Sequence, residues 1–303
     1  MEIADRIHAG LLAYAAGDAF GVPWEGRPPA EVAVDRLAEV PARHGWPRGA
    51  TSDDTALTRL VAEHLADAGG VGDPLDLLRR LAAEAATIPG LGPSTRRAVA
   101  HFAATGRPDG SGLNTNGAPM RALPVGWAVP AGADDRRRDW TLALTRVTHN
   151  GADALAAACV MSACASRSLA GAGPDELAAV AAAEAAAVGP GTAVARATAA
   201  VLRGAWEPPA AGIGLAPDET VAAVLRCCLA AGGDLSRGLV AAVRLGGDTD
   251  TVAALVGGLL GVALSPAEVA ARLPWSGRVT LPPEPELARL ARELALIRGA
   301  GGG

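Results

Sequence analysis

Lysine is missing from this chain of 303 residues, so all 27 basic residues are arginine. That excludes a Schiff-base lysine and the lysine of a phosphate-binding P-loop. Positive charge is also outweighed: 32 acidic residues leave a net charge of −5. Without a basic excess the chain is not expected to bind a nucleic-acid backbone. Cysteine is scarce, with Cys159, Cys164, Cys227 and Cys228 lying in apolar stretches. None has the C-x-x-C spacing of a zinc site, so buried packing is the expected role. Met1 to Arg6 carries charges where a signal peptide needs an apolar core. The run Cys159 to Leu169 is too short and too polar to span a bilayer. These features point to a cytoplasmic protein with no membrane partner.

Alanine, leucine and valine make up most of the 50% hydrophobic fraction, a composition that favours closely packed helices. Apolar spacing predicts a helix over 3–16, after which Gly17 and Gly21 frame a loop that runs past Glu25 and Pro28-Pro29. A second helix follows Ser52-Asp53-Asp54, with Ser52 or Asp53 as its cap. Further helices are expected over 75–86, 94–105, 140–149, 152–169, 175–188, 193–202, 219–230, 235–244, 251–264 and 287–298. Residues 110–120, rich in Gly, Asn, Ser and Thr, read as a loop. Glycines at 257, 258 and 261 suit a helix at the centre of the packing. There is no alternating strand pattern and no fixed-period repeat. The expected fold is one compact all-α domain over 1–298, an orthogonal helix bundle, with a disordered glycine-rich tail at 299–303.

Two short acidic loops lie nearly two hundred residues apart, Thr51-Ser52-Asp53-Asp54-Thr55 and Gly247-Asp248-Thr249-Asp250-Thr251. Glu25 sits in a third, Pro23-Trp24-Glu25-Gly26. A lone Asp before a helix most simply complements the helix dipole. Two doublets with interleaved hydroxyls exceed what a cap needs. Carboxylates held together repel and call for a compensating cation. Oxygen ligands without a His or Cys cluster suit Mg²⁺ or Mn²⁺ rather than zinc. Five formal negative charges call for two ions, which reads as a binuclear-metal hydrolase. The segment Asn114-Thr115-Asn116-Gly117-Ala118-Pro119-Met120-Arg121 has backbone amides that suit a phosphate, with Arg121 a possible bidentate partner, although the residues alone leave an ordinary polar turn equally open. His149, in Val147-Thr148-His149-Asn150-Gly151, reads either as a helix C-terminal partner or as part of a ligand-facing loop. His8, His44, His64 and His101 read as structural. Asp18, between Gly17 and Gly21, could join the acidic site or bond backbone amides of its own turn, and the turn is the expected reading.

On these residues the chain resembles the ADP-ribosylglycohydrolase family, of the dinitrogenase reductase-activating and ADP-ribosyl-arginine or -serine hydrolase type. The matching pieces are Gly17-Asp18-Ala19-Phe20-Gly21 with Glu25, Ser52-Asp53-Asp54-Thr55, Asn116-Gly117-Ala118-Pro119-Met120-Arg121, Thr148-His149, and Gly246-Gly247-Asp248-Thr249-Asp250-Thr251-Val252-Ala253-Ala254. They follow the family's order, and the last is the most specific. The resemblance implies an all-α fold with two Mg²⁺ (or Mn²⁺) ions in a cleft. It implies that Ser52, Asp53 and Asp54 hold one ion, and that Asp248, Asp250 and Thr251 hold or bridge to the second. Glu25 would gate the cleft. Asn116, Gly117 and Met120 belong to the ligand-binding loop, with Asn116 and Gly117 lining the diphosphate pocket, and His149 would touch ADP-ribose. The family's first metal loop usually has Thr where this chain has Ser52, which keeps the hydroxyl. Its phosphate loop is often richer in Gly and Ser than Gly112-Leu113-Asn114-Thr115.

The implied reaction is hydrolysis of the N- or O-glycosidic bond that joins ADP-ribose to a modified protein or small molecule. A metal-bound water would attack the anomeric carbon, deprotonated by Asp248 or Asp53, with Glu25 protonating the leaving group. Other readings are a hydrolase of a different ribosyl or glycosidic substrate and a non-catalytic ADP-ribose-binding protein. An isoprenoid diphosphate enzyme would need aromatic walls, and one Tyr and two Phe argue against it, although six Trp are present.

Overall fold

The computed structural model describes residues 1–300 and is built from helices. In chain order these are α1 (Ile3–Gly21), α2 (Asp53–Ala68), α3 (Pro74–Glu84), α4 (Pro93–Thr105), α5 (Leu123–Ala128), α6 (Asp134–Thr145), α7 (Ala152–Leu169), α8 (Pro174–Val188), α9 (Ala193–Leu202), α10 (Pro217–Ala231), α11 (Leu235–Arg244), α12 (Thr249–Gly261), α13 (Pro266–Arg272) and α14 (Glu284–Ala300). Among the described residues the only β pairing is a pair of isolated bridges at Gly247. The expected all-α class is what the chain adopts, and α7, α9 and α11 have the bounds their periodicity predicted. No helix among the described residues is long and apolar enough to cross a membrane. The last helix continues two residues past 298, and the remainder of the expected tail, 301–303, lies outside the described residues.

At the centre, α1 packs along α12 with almost no side chain between the two backbones. A methyl group on Gly17 would lie 2.3 Å from the Ala253 carbonyl oxygen, and one on Gly257 would lie 2.2 Å from that of Ala13. This explains why α1 does not stop at Ala16. Glycine lowers helix propensity, but here it lets two backbones meet, and the buried packing outweighs about 1 kcal/mol per glycine. Gly17 to Gly21 are therefore the last turn of α1, not the expected loop, and they carry Asp18 against the start of α12. That start is Thr249, two residues earlier than the apolar pattern suggested, so Asp250 lies in the first turn.

Around this pair the apolar core runs through Tyr14, Phe20, Leu57, Leu123, Trp127 and Met161, all nearly fully buried. Phe20 stacks on Trp275 with ring centroids 4.3 Å apart, fixing the approach to α14. All four cysteines are buried and unpaired, and burial pushes the Cys159, Cys164 and Cys227 thiols up to about 12, so they are inert packing groups. Helix α6 begins at Asp134 rather than Trp140, because its first turns are charged and show no apolar stripe, and it ends at Thr145. Those turns are anchored by a buried ion pair. Arg137 Nη2 lies 2.9 Å from Glu184 Oε2 of α8, while Arg137 Nη1 donates to the Cys159 carbonyl and to Ser162 Oγ of α7, each at 3.1 Å. Arg138 adds a two-pronged contact to the same carboxylate.

Candidate metal centre

Helix starts and backbone pairing bring the acidic loops together. Ser52 caps α2 by accepting from the Asp54 amide, which leaves Asp53 and Asp54 in the first turn. The second loop is fixed on both sides: Gly247 donates to the Arg27 carbonyl and accepts from Gly26, while Asp248 donates to the Ile213 carbonyl. Gly246 and Gly247 have φ of +67° and +71°, a left-handed turn that a side chain would strain. The same turn thus holds the Glu25 loop and the 213–215 segment beside Asp248.

At the bottom of the resulting cleft, Asp18, Asp54 and Asp250 each place a carboxylate oxygen within 4.8 Å of the others, all three buried. Asp54 is the hub: its Oδ2 accepts from Ser52 Oγ at 3.0 Å and from Thr251 Oγ1 at 3.1 Å. Its Oδ1 lies 3.5 Å from the Tyr14 hydroxyl, which bonds the Met120 carbonyl at 2.7 Å. Asp18 does not bond its own turn as expected. It reaches across to the start of α2 and accepts from the Ser52 amide, the Thr55 amide and the Thr55 hydroxyl. The less favoured of the two sequence expectations, that Asp18 joins the acidic group, is the one the geometry supports. The signal that favours it is the i+4 position of Asp18 from Tyr14 on an unbroken helix.

The cleft walls carry Glu25, Asp53, Asp248, Asn116, Gly117, Met120 and Thr251 beside Asp54 and Asp250. Asp53 accepts from the Gly92 amide at 2.9 Å, and Asp248 accepts from Asn116 Nδ2, which also donates to Thr220 at 3.0 Å. Glu25 at the rim pairs with Arg43, whose guanidinium lies 4.8 Å from the Trp46 ring centroid. Ser52 lies behind the wall, on Asp54. His149 is fully buried and lies behind Gly117, with its Nε2 3.0 Å from the Thr115 hydroxyl and its Nδ1 2.8 Å from that of Thr148. The start of α4 (Pro93, Ser94, Thr95) and Leu215 complete the walls; sequence reading gave the start of α4 no role, although Gly92-Pro93-Ser94 is a legible helix start.

The electrostatics are lopsided. Among the described residues, no arginine or histidine forms an ion pair with Asp18, Asp53, Asp54, Asp248 or Asp250. Burial, reinforced by neighbouring carboxylates, raises Asp53 to about 7 and holds Asp54 and Asp250 well above the usual range. Burial also raises Asp18 and Asp248, each to about 6, against opposing hydrogen bonds. Asp250 Oδ1 is buried with no hydrogen-bond partner. An orphaned carboxylate oxygen facing two more carboxylates is a donor set a divalent cation fits, since the ion satisfies the lone pair and the charge together.

These shifts set a pH dependence. Folded pKa values raised above the unfolded value near 3.8 mean that the folded chain binds more protons between about pH 4 and pH 7. The acidic group's contribution to stability without metal is therefore fully present below about pH 4 and is lost as the pH rises through about 6 to 7. Thermal melts in chelator at pH 5 and pH 7.5 should show that loss, and saturating divalent cation should remove it; equal melting temperatures in chelator would contradict it.

An all-α protein whose central helices converge on a metal-competent acidic cleft is the class this fold and site define. The chain belongs to the ADP-ribosylglycohydrolase family, whose sequence model matches residues 1–301. It is 32% identical to a solved structure titled "ADP-ribosylglycohydrolase-related protein complex", with a TM-score of 0.79 and 98% of each chain covered. Over 157 residues, 49% of this chain and 53% of the relative, it is 31% identical to the ADP-ribosyl-[dinitrogen reductase] glycohydrolase of Rhodospirillum rubrum. Over 186 residues, 55% of each protein, it is 31% identical to the uncharacterized protein YegU of Escherichia coli (strain K12). The chain thus spans about half the length of these curated relatives.

Proposed function

We propose that the chain is a hydrolase that cleaves the glycosidic bond of an ADP-ribosylated substrate, using two Mg²⁺ or Mn²⁺ ions. The observation that carries this reading is the orphaned Asp250 oxygen within the Asp18–Asp54–Asp250 group, at the bottom of a cleft also lined by the Asn116-Gly117 loop. Asp53, Asp54, Asp248, Asp250, Ser52 and Thr251 would hold the ions, joined by Asp18. When bound, such ions supply Lewis-acid charge that orients ribose hydroxyls and acidifies water.

The chain's own residues would do the rest. Asn116 and Gly117 orient the ligand from the wall beside Asp248. Asp248 or Asp53, both on the cleft surface, takes the proton of the attacking water. Glu25, at the rim, protonates the leaving group once Arg43 releases it. The R. rubrum relative acts, by its name, on an ADP-ribosylated protein. An ADP-ribosyl group on a protein side chain is accordingly the substrate class proposed here.

Calorimetric titration of ADP-ribose, with Mg²⁺ and again after chelation, tests the reading. Binding that requires the metal is expected. No binding in either condition would overturn the ADP-ribose assignment and leave a metal site with a different ligand.

A further inference from the structure

At the mouth of the cleft an arginine of the chain itself sits where a ligand cation would. Arg43 pairs with Glu25, and its guanidinium carbon lies 4.8 Å from the Trp46 ring centroid. Glu25 lines the cleft. Trp46 abuts a separate part of the lining, at Gly90: a methyl group there would lie 2.9 Å from the indole ring and 3.7 Å from Asp53 Oδ1. The Arg43–Trp46 pair therefore links the Glu25 loop to the turn that precedes α4.

The segment that carries the pair is fixed at both ends. The Trp46 amide donates to the Arg43 carbonyl at 3.0 Å, a turn that presents the two side chains together. Upstream, Val40 is buried with φ of +46°, a conformation that β-branched residues avoid. Arg48 Nε donates to its carbonyl at 2.9 Å, Arg48 Nη2 donates to the Glu39 carbonyl, and Arg278 donates to that of Ala38 at 2.7 Å. Downstream, the Gly49 carbonyl accepts from the Thr280 amide at 2.8 Å. Strain of this kind persists where the surroundings over-determine a segment, and it clusters at ligand clamps. Stability is not what the Arg43–Glu25 contact supplies: with side chains 30% and 34% exposed, such an ion pair contributes little.

A carboxylate beside an indole face is the recognition set of a planar cation. The carboxylate accepts from the N–H fork in the plane, and the ring covers the flat face. An ammonium ion, compact and strongly hydrated, gains less from both. Asp53 and Asp248 share the cleft lining with Glu25, so the field at the mouth also favours positive charge. We infer that Glu25 and Trp46 form a guanidinium subsite at the cleft mouth and that Arg43 is its resident occupant, a tethered competitor that a planar cation on an incoming molecule displaces. The subsite stands on this geometry. Its bearing on turnover rests on the functional reading above, in which Glu25 acts only after Arg43 has left it.

Methylguanidine, titrated in chelator without ADP-ribose, tests the subsite directly. The Trp46 indole N–H signal in ¹H–¹⁵N spectra, assigned by its loss in Trp46→Leu, reports occupancy. Arg43→Ala should bind methylguanidine about tenfold more tightly than the wild type, because a tethered group competes at a millimolar effective concentration. Arg43→Lys, which keeps the charge but not the plane, should fall between the two. Methylammonium should bind Arg43→Ala more weakly than methylguanidine does. Adding Glu25→Gln to Arg43→Ala should abolish the gain. Equal affinity in the wild type and Arg43→Ala, or a gain that survives Glu25→Gln, overturns the proposal. A wild type that hydrolyses no ADP-ribosylated substrate removes the functional reading, while the methylguanidine titration still decides the subsite.

Discussion

Replacing Asp54 with asparagine should lower turnover by about 10³-fold or more while leaving the metal-free protein as stable as before, or more so. The two effects run in opposite directions because the same charge causes both. Asp54 lies at the hub of the acidic group, accepting from Ser52, Thr251 and Tyr14. Without a cation its charge is buried against Asp18, Asp53 and Asp248, which is why its pKa lies well above the ordinary carboxylate range. Asparagine keeps the shape and removes the repulsion. With a cation bound, that charge is what holds the ion. A lost ligand forfeits several kcal/mol of transition-state stabilisation, and about 4 kcal/mol is already 10³-fold. Release of free ADP-ribose, metal calorimetry and melts in chelator measure the three consequences separately. A variant that binds metal and turns over normally would remove Asp54 from the proposed centre, and a large fall in metal-free stability would show that its role is structural.

The largest stability effect is expected far from the cleft, at Glu184. This carboxylate is 5% exposed and is the main partner of Arg137, itself 1% exposed. Glu184→Ala would leave Arg137 with only the half-exposed Asp134, 3.4 Å away, as a charged partner. Removing one member of a buried pair costs about 3–5 kcal/mol, because the remaining charge stays desolvated. Denaturant unfolding should show a loss of that size, with turnover per folded molecule unchanged. Glu184→Gln, which keeps the hydrogen-bonding oxygen, should fall between the two. A loss below about 1 kcal/mol would mean that Arg137 finds water or relaxes outward.

The acidic loops were legible in the sequence because Asp-Asp and Asp-Thr-Asp directly before apolar helical runs demand more than a cap. The helices were legible wherever an apolar stripe repeats, as over 152–169 and 235–244. What stayed hidden depends on contacts between distant segments. Gly17 and Gly21 read as loop residues because local propensity says so, and only the α12 backbone against them makes them helical. The turn reading of Asp18 followed from theirs. Helix α5 contains Pro124 and Gly126 in a six-residue span and α13 has seven residues, too short to show periodicity. The burial of His149 depends on Gly117 and Thr115, more than thirty residues upstream.

The close seam between α1 and α12 also has a consequence in time. Gly21 and Thr249, bonded across that seam, are 228 residues apart in the chain. Contacts of such high sequence separation carry the steepest loop-closure cost and slow folding. During synthesis α1 emerges well before α12, with its small-residue face exposed and Asp18 unpaired, and it must wait for residues 249–261 before it can dock. The acidic centre is therefore among the last features to form on the ribosome. A chain stalled before α12 would hold half an acidic centre and no seam, which makes N-terminal fragments natural clients for a chaperone that covers exposed apolar helices.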